Sequence, residues 1–372
     1  MTAPRLEVRL DRLHHNAATL TTRLAARGID VTAVTKATLG DPTVARELIA
    51  AGVRTLADSR ITSIERLRAS GIHHPMLLLR SPMLSETDRV VTVATASCNT
   101  EPVVLQSLHD AAGRHGVRHG IILMVELGDL REGIMPVDLP AVAALTMELT
   151  NLHLVGIGTN LACQSGVEPD HRNMADLSAL ATALEQEIGI RLATVSGGNS
   201  ANLNWVDAAD DVRRVNDLRL GEAILLGREP LHRAPIDGLH PDVFTLVAEV
   251  IEAKRKPAEP WGSRSQSAFG TTVGESIPAP ATGTAPTSYA ASDASFADSW
   301  YAILAIGRQD IDPDGVTWPE GIHYLGASSD HLVVTTATDT LAVGDEVRLG
   351  LNYSALLRAS TSPFVTTVHL RH

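Results

Sequence analysis

Short apolar runs alternate with longer amphipathic segments over the first two thirds of the chain. Eight runs, rich in leucine and β-branched residues, occur at 29–35, 55–57, 76–79, 94–98, 120–127, 153–159, 192–196 and 217–226. Strands that alternate with helices are typical of βα units and a parallel sheet. Eight successive units predict a closed (β/α)8 TIM barrel over residues 10–235.

The segments between the runs carry helix signals. Met174, Leu177, Ala181, Leu184 and Ile188 recur at three- and four-residue spacing, which predicts one helix over 170–189 with an apolar face against the sheet. Asp41 followed by a proline is a typical helix start.

The pattern changes after residue 226. Strand-like runs at 243–252, 300–307, 323–327, 332–336, 346–351 and 365–370 follow with little helix between them. They predict a mostly β domain over 236–372, which residues 1–9 join. Residues 257–299 are rich in Ala, Ser, Thr, Gly and Pro, which predicts a flexible insertion, either a surface excursion or a lid over a site.

Charge and composition exclude several classes of function. The formal net charge of −12 argues against nucleic acid binding and a polybasic membrane anchor. No apolar segment approaches about 18 residues, and the N-terminus lacks a signal peptide's apolar core, so we expect a cytoplasmic protein. Cys98 and Cys163 are expected to be reduced thiols, and the fifteen histidines show no metal-ligand spacing, so no metal site is expected.

The chain contains only three lysines, and one of them closes the first apolar run. Active sites of such barrels form at the carboxyl ends of the strands, where Lys36 would lie. A partly desolvated lysine suits Schiff-base chemistry, which arginine cannot perform. A salt-bridged structural lysine is the alternative. Lys254 and Lys256 are interpreted as part of a solvated surface.

A glycine- and serine-rich stretch, Ser196-Gly197-Gly198-Asn199-Ser200, follows the seventh run. Its backbone N–H groups and hydroxyls could bind an anion, and barrels commonly bind phosphate after strands seven and eight. Leu220-Gly221-Glu222, in the eighth run, fall at the corresponding place. A lysine opposite a phosphate site predicts pyridoxal phosphate as cofactor.

At this point the sequence resembles the alanine racemase-like (fold type III) pyridoxal phosphate enzymes, and most of all their ornithine racemase branch. The matching stretches run in order along the whole chain: AVTKA at 33–37, LGDLREG at 127–133, GIGTNLAC at 156–163, SGGNSAN at 196–202, RLGEA at 219–223, IGRQDIDPDG at 306–315, GASSDH at 326–331 and LNY at 351–353. Together they form a specific signal.

The resemblance implies roles for single residues. Lys36 would hold the cofactor covalently and act as one of two bases at the substrate Cα. Arg219 would face the pyridine nitrogen, Asn160 would lie beside the ring where alanine racemases have a histidine, and Arg131 would lie near the substrate carboxylate. The phosphate would be bound by Ser200, Gly221, the backbone N–H of Glu222, and Tyr353. Asn199 is a further candidate for cofactor binding.

The resemblance breaks where alanine racemases place their second base, a tyrosine in a Gly-Tyr-Ala-Asp motif. Here the stretch reads Gly307-Arg308-Gln309-Asp310. Asp310 and His331 are the leading candidates for the second base, with Ser328 a poorer one because an unassisted hydroxyl is a weak base. Arg308, Ser328 and Asp330 are candidates for substrate binding.

The sequence therefore predicts a homodimeric, pyridoxal phosphate-dependent amino acid racemase. Acidic residues expected near the barrel mouth suit a basic substrate such as ornithine or lysine: Asp58, Glu222, Asp310 and Asp312. The alternatives are a noncatalytic pyridoxal phosphate carrier, which usually lacks a β domain, a fold type III decarboxylase or threonine aldolase, and a cofactor-free lysine-imine aldolase.

Overall fold

The computed structural model describes residues 2–257, 269, 298–337 and 340–371. The chain divides into two compact units. The barrel unit is Arg9–Val243 with Arg371–His372, and the sheet unit is Met1–Val8 with Phe244–Leu370. The boundary thus lies after Val243, eight residues beyond the expected end at 235.

A closed parallel barrel forms the centre of the barrel unit, which confirms the predicted TIM-barrel architecture. The first strand of the chain, β1 (Arg5–Arg9), lies outside it. The eight barrel strands are β2 (Asp30–Val34), β3 (Thr55–Asp58), β4 (Met76–Leu78), β5 (Ala96–Asn99), β6 (His119–Met124), β7 (Leu152–Gly158), β8 (Thr194–Ser196) and β9 (Asp217–Leu220). Pairing of β2 with β9, for example Val31 with Leu218, closes the circle.

The last apolar run is shorter as a strand than the sequence predicted. The strand ends at Leu220, and residues 222–226 form a helix instead. Gly221, with φ −123° and ψ −74°, is where the extended backbone ends. Apolar residues on both sides of this break are buried, so the run reads as continuous although it changes structure.

Helices separate the strands throughout the barrel unit. They are α1 (Leu10–Ala25), α2 (Pro42–Ala50), α3 (Ile61–Ala69), α4 (Thr87–Val93), α5 (Pro102–His115), α6 (Leu139–Glu148), α7 (His171–Ile188), α8 (Leu203–Ala208) and α9 (Glu222–Leu226). The predicted helix over 170–189 is α7, which buries Met174, Leu177, Ala181 and Leu184. As predicted, Asp41 caps α2, accepting hydrogen bonds from the backbone N–H groups of Thr43 and Val44.

One apolar cluster draws a side chain from each of five neighbouring strands: Val34, Ala57, Leu77, Cys98, and both Ile122 and Met124. Close approach of β7 and β8 requires Gly156, because a Cβ there would lie 1.9 Å from the carbonyl oxygen of Thr194.

The sheet unit is antiparallel and mostly β, as predicted. Its further elements are β10 (Phe244–Pro257), β11 (Asp298–Leu304), β12 (Val316–Thr317), β13 (Ile322–Ala327), β14 (Leu332–Thr336), β15 (Glu346–Leu351), α10 (Tyr353–Thr361) and β16 (Thr366–Leu370). The strand order is β12-β15-β10-β11-β14-β13, and β1 pairs with β10 and β16, so the first strand does join this unit. β10 and β11 pair as far as Pro257 and Asp298. Residues 258–268 and 270–297, most of the predicted insertion, lie outside the described residues.

A buried histidine makes the fold sensitive to acid. His119 in β6 shares a hydrogen bond of 2.9 Å with the Ser97 hydroxyl. Burial, helped by the nearby charge of His153, lowers the pKa of His119 from 6.5 to about 4. The unfolded chain therefore binds the proton more readily, and stability present above pH 6.5 is lost as the pH falls toward 4.

In the wild type, His119 should lower the free energy of unfolding by about 3 kcal/mol between pH 6.5 and 4. We expect His119→Asn to lack this decrease, as measured by urea unfolding at several pH values. His171→Asn, at an exposed position, is the matched control and should unfold with the pH dependence of the wild type. Equal pH dependence in all three proteins would contradict the assignment.

Candidate active site

Lys36 lies at the carboxyl end of β2, where the chain turns into a short 3-10 segment, Lys36–Thr38. The turn is fixed on both sides. The Thr35 hydroxyl donates to Oδ2 of the buried Asp58 at 2.8 Å, and Gly40, with φ +62°, leaves no room for a Cβ beside the carbonyl of Ser63. Burial raises the pKa of Asp58, while hydrogen bonds from the Arg60 backbone and Thr35 oppose the shift.

Arg219 is held inside the barrel by buried polar groups. Its Nη2 donates to the carbonyl oxygen of Thr159 at 2.6 Å, and its Nη1 donates to the Ser196 hydroxyl. Ser196 in turn donates to Oδ2 of Asp217 at 2.5 Å, and Thr32 donates to Oδ1 of the same carboxylate at 2.6 Å. Burial raises the pKa of Asp217, and these two hydrogen bonds and the Arg219 charge oppose that rise.

Two asparagines lie next to this arginine. Asn199 donates through Nδ2 to Oδ1 of Asn160 at 3.1 Å and to the carbonyl of Leu161 at 2.9 Å. The Asn160 Oδ1 is also 3.5 Å from Nη2 of Arg219. Among the described residues, the buried Nδ2 of Asn160 has no hydrogen-bond partner. A buried amide donor without a partner is unfavourable, so this position calls for an acceptor from a bound molecule.

The glycine-rich loop after β8 leads directly into Ser200, whose hydroxyl accepts a hydrogen bond from the backbone of Ala223 at 3.1 Å. The loop needs Gly198, which has φ +144° and packs against the Asn202 side chain. The bond to Ala223 places Ser200 beside the start of α9, where Gly221 and Glu222 lie. The small residues predicted to bind phosphate are therefore adjacent.

Glu222 at the start of α9 is within reach of the Lys36 charge. Burial raises the pKa of Glu222, and an ion pair with Arg233 opposes the shift. The charge of Lys36 opposes it as well. The lysine at the end of β2 and the loop after β9 therefore face one region, as expected for neighbouring strands.

Arg131 lies in the loop after β6 and pairs with the adjacent Glu132. Asp129 ties this loop to the one after β7, because its carboxylate accepts hydrogen bonds from the backbones of Gln164 and Ser165, each at 3.0 Å. The loop that carries the predicted carboxylate-binding arginine is thereby anchored at its base.

The remaining predicted site residues belong to the sheet unit, where two stretches pack together. Gly307 lies against the backbone of Asp330, so close that a Cβ would be 2.3 Å from its nitrogen. The backbone N–H of Arg308 donates to the carbonyl of Ser328 at 2.9 Å. The stretch that replaces the family tyrosine motif is thus joined to the turn between β13 and β14. Tyr353 begins α10, which Asn352 caps.

The two candidates for a second base have different surroundings. Asp310 is 4% exposed, and its Oδ1 accepts a hydrogen bond of 2.6 Å from Ser362. His331 is partly buried, with its side chain 40% exposed, and its Nδ1 is 3.0 Å from Oδ1 of Asp330. Hydrogen bonds, chiefly from Ser329, hold the pKa of Asp330 below its usual range, so its carboxylate accepts from Nδ1.

Arg308 has an unusual environment in the sheet unit. Its guanidinium lies 5.4 Å from the centre of the Phe269 ring. Its Nε is buried and, among the described residues, has no hydrogen-bond partner. This unused N–H donor suits the substrate-binding role expected for Arg308.

Sequence reasoning missed the polar residues beneath Arg219, namely Thr32, Asp217 and the role of Ser196. A signal was present, since Asp217 and Arg219 are two residues apart and so project from the same face of a strand. Thr32 and Asp217 were instead read only as members of apolar runs, and Ser196 as part of an anion-binding loop. No described group of three or more His, Cys, Asp or Glu side chains could hold a metal. No helix in the part of the chain that the structure describes is long and apolar enough to cross a membrane.

Comparisons with known proteins identify the family. Residues 8–229 match the family model for the alanine racemase N-terminal domain. The chain is 35% identical to a lysine racemase of Thermotoga maritima, covering 99% of both chains. It is 33% identical to an ornithine racemase of Acetoanaerobium sticklandii, covering 97% of this chain and 98% of that one.

An alanine racemase of Clostridium difficile 630 has the same fold, with a TM-score of 0.73 at 21% identity, covering 100% of this chain and 97% of that chain. The family match spans the barrel with its lysine and glycine-rich loop, and the two relatives extend the similarity through the sheet unit. The chain belongs to the alanine racemase family.

Proposed function

We propose that this protein is a pyridoxal phosphate-dependent racemase that interconverts the L and D forms of a basic amino acid such as ornithine or lysine. One observation carries the proposal. Lys36 follows β2, which pairs with β9, the strand that carries Arg219. Arg219 is 3.5 Å from Asn160 after β7, Asn160 accepts from Asn199 after β8, and the next residue, Ser200, bonds to the start of α9. The noncatalytic carrier is disfavoured because the two racemase relatives match both units of the chain.

The residues of the barrel unit fit the cofactor. The unpartnered Nδ2 of Asn160 offers a donor next to Arg219, and the Ser200 loop and the start of α9 offer small residues for a phosphate. Lys36 would hold the cofactor through its amine, with the phosphate bound by Ser200, Gly221, Glu222 and Tyr353 and with Asn199 as a further cofactor-binding residue. When bound, pyridoxal phosphate supplies a carbonyl that takes up the substrate amine and a ring that draws electrons from the Cα–H bond.

Arg219 determines how strongly that ring can act. A guanidinium does not give up its proton in proteins, so Arg219 always presents a donor. A ring nitrogen that faces it remains an acceptor and withdraws less charge. Return of the proton to Cα is then favoured over transfer of the amino group, which is what a racemase requires.

Two bases on opposite faces of Cα complete the proposal. Lys36 removes or returns the proton on one face, and Arg131 orients the substrate carboxylate, with Arg308, Ser328 and Asp330 as further substrate-binding candidates. For the second base we favour His331, because Asp330 accepts from Nδ1 and leaves the lone pair on Nε2. Asp310 is the second choice, since its buried carboxylate is already bonded to Ser362.

Support for a basic substrate comes from the relatives named lysine and ornithine racemase. The acidic residues near the barrel mouth do not by themselves identify a basic substrate, because their carboxylates already interact with other side chains of the protein. Asp58 accepts from Thr35, Glu222 pairs with Arg233, and Asp312 accepts from Ser354. The homodimer implied by the resemblance and the cytoplasmic location expected from the sequence are part of the same proposal.

Stereochemistry tests the reaction directly. Incubation of single enantiomers of ornithine and lysine with enzyme and cofactor in heavy water should give the racemate with deuterium at Cα, with alanine as the comparison substrate. Release of CO2 or cleavage to an aldehyde would contradict racemisation. Cofactor binding without proton exchange on a broad amino acid panel would favour a carrier.

Lys36→Ala should abolish covalent cofactor attachment and reduce racemisation by at least about 100-fold, because the base at one face is lost. Lys254→Arg and Lys256→Arg are matched controls, since both lysines pair with Glu252 on the surface of β10. Attachment is measured by visible absorbance and its loss on borohydride treatment. A fully active Lys36→Ala protein would overturn the proposal.

His331→Asn should lower racemisation about 100-fold while one enantiomer still exchanges its Cα proton with solvent, because Lys36 remains. Polarimetry and deuterium uptake, followed separately for each enantiomer, provide the measurement. His323→Asn, an exposed position on β13, is the control and should behave as the wild type. If His331→Asn racemises normally, Asp310→Asn becomes the variant to examine.

A further inference from the structure

We propose that Ser196 is a positioning residue for Arg219. Its hydroxyl donates a hydrogen bond to the buried Asp217 carboxylate and accepts one from Arg219, and so links the guanidinium to the carboxylate. The inference rests on the proposed function in so far as Arg219 serves the cofactor. The stretches that point to the family contain Ser196 and Arg219 but not Asp217, and the link between the three is supplied by the side-chain geometry inside the barrel.

Three neighbouring strands build the link. Asp217 and Arg219 project from the same face of β9, being two residues apart. The register pairs Ser196 of β8 with Asp217, and Thr32 of β2 with Arg219. The carboxylate of Asp217 therefore lies between two hydroxyl groups, one from each flanking strand.

The direction of each hydrogen bond follows from the chemistry of the groups. A guanidinium can only donate, so Ser196 accepts from Arg219 Nη1. The single hydroxyl proton of Ser196 is then directed to Oδ2 of Asp217, 2.5 Å away. Thr32 satisfies the other carboxylate oxygen at 2.6 Å. These hydrogen bonds can all form together only if Asp217 is an ionised carboxylate and Ser196 has its hydroxyl group.

Burial makes the link strong and specific. Ser196 is 0% exposed, Thr32 4%, Arg219 5% and Asp217 8%. Water has little access to replace a lost partner, so Arg219 depends on its protein contacts for position. The carbonyl of Thr159 accepts a hydrogen bond from Nη2, and the Ser196 hydroxyl accepts one from Nη1. Without the serine hydroxyl, Arg219 keeps its charge but loses one of these two anchors.

Ser196 and Thr32 allow a matched comparison. Each donates one hydroxyl to the same buried carboxylate, but only Ser196 also contacts Arg219. Ser196→Ala removes the link, while Thr32→Val removes an equivalent hydrogen bond and leaves the link in place. Ser196→Cys, of similar volume and with a weaker acceptor, is an intermediate variant that serves if Ser196→Ala does not fold.

Two measurements report on Arg219 rather than on the stability of the fold. The first is the dissociation constant of pyridoxal phosphate from the substrate-free protein. The second is the fraction of turnovers that end in transamination, in which the amino acid leaves as its 2-oxo acid and the cofactor is converted to pyridoxamine phosphate. Thermal unfolding is recorded in parallel to monitor the loss of a buried hydrogen bond.

We expect Ser196→Ala to weaken cofactor binding about tenfold, equivalent to about 1.4 kcal/mol, and to raise the transamination fraction about tenfold. Ser196→Cys should fall between Ser196→Ala and the wild type. Thr32→Val should lower the melting temperature by a similar amount to Ser196→Ala, with both cofactor measurements within about twofold of the wild type.

Equal changes in Ser196→Ala and Thr32→Val would overturn the inference and leave Ser196 with a purely structural role. Unchanged cofactor measurements in Ser196→Ala, or in Ser196→Cys if only that variant folds, would overturn it as well. A wild-type protein that neither binds pyridoxal phosphate nor racemises amino acids would instead overturn the proposed function, and this inference with it. The wild-type measurement therefore separates the two failures.

Discussion

Pairing of the first and last barrel strands is the constraint on which the proposed active site depends. β2 and β9 are separated by most of the barrel unit in sequence, yet they lie side by side with Val31 opposite Leu218. Since parallel strands of one barrel end at the same rim, this pairing brings Lys36 near the loop after β9. The influence of the Lys36 charge on Glu222 is the direct electrostatic consequence.

The same closure creates a buried polar layer. Placing Arg219 inside the barrel would be costly without a counter-charge and hydrogen-bond acceptors. Asp217, two residues earlier on the strand, supplies the charge, and Ser196 and the Thr159 carbonyl supply acceptors. The result is a cation whose position is fixed before any cofactor arrives, so little reorganisation is needed when a ligand binds.

The sheet unit brings distant residues together by a different means. Gly307 fits against the backbone of Asp330, and Arg308 bonds to Ser328, so the stretch that departs from the family motif is supported by the turn that carries His331. This packing distinguishes the two predicted bases. Asp310 is enclosed with Ser362, whereas the His331 side chain is 40% exposed and is oriented by Asp330.

Local patterns in the sequence determined the barrel, the β character of the second unit, the α7 boundaries, the start of α2, and the position of Lys36 at a strand end. These features depend on periodicity and on caps, which act over a few residues. The end of β9 at Leu220 was missed because buried strand and buried helix are equally apolar. The tertiary structure alone decided the Asp217–Ser196–Arg219 link, the amide of Asn160 that has no partner among the described residues, and the enclosure of Asp310. Such contacts depend on strand register and on burial. Neither is encoded in any short stretch of sequence.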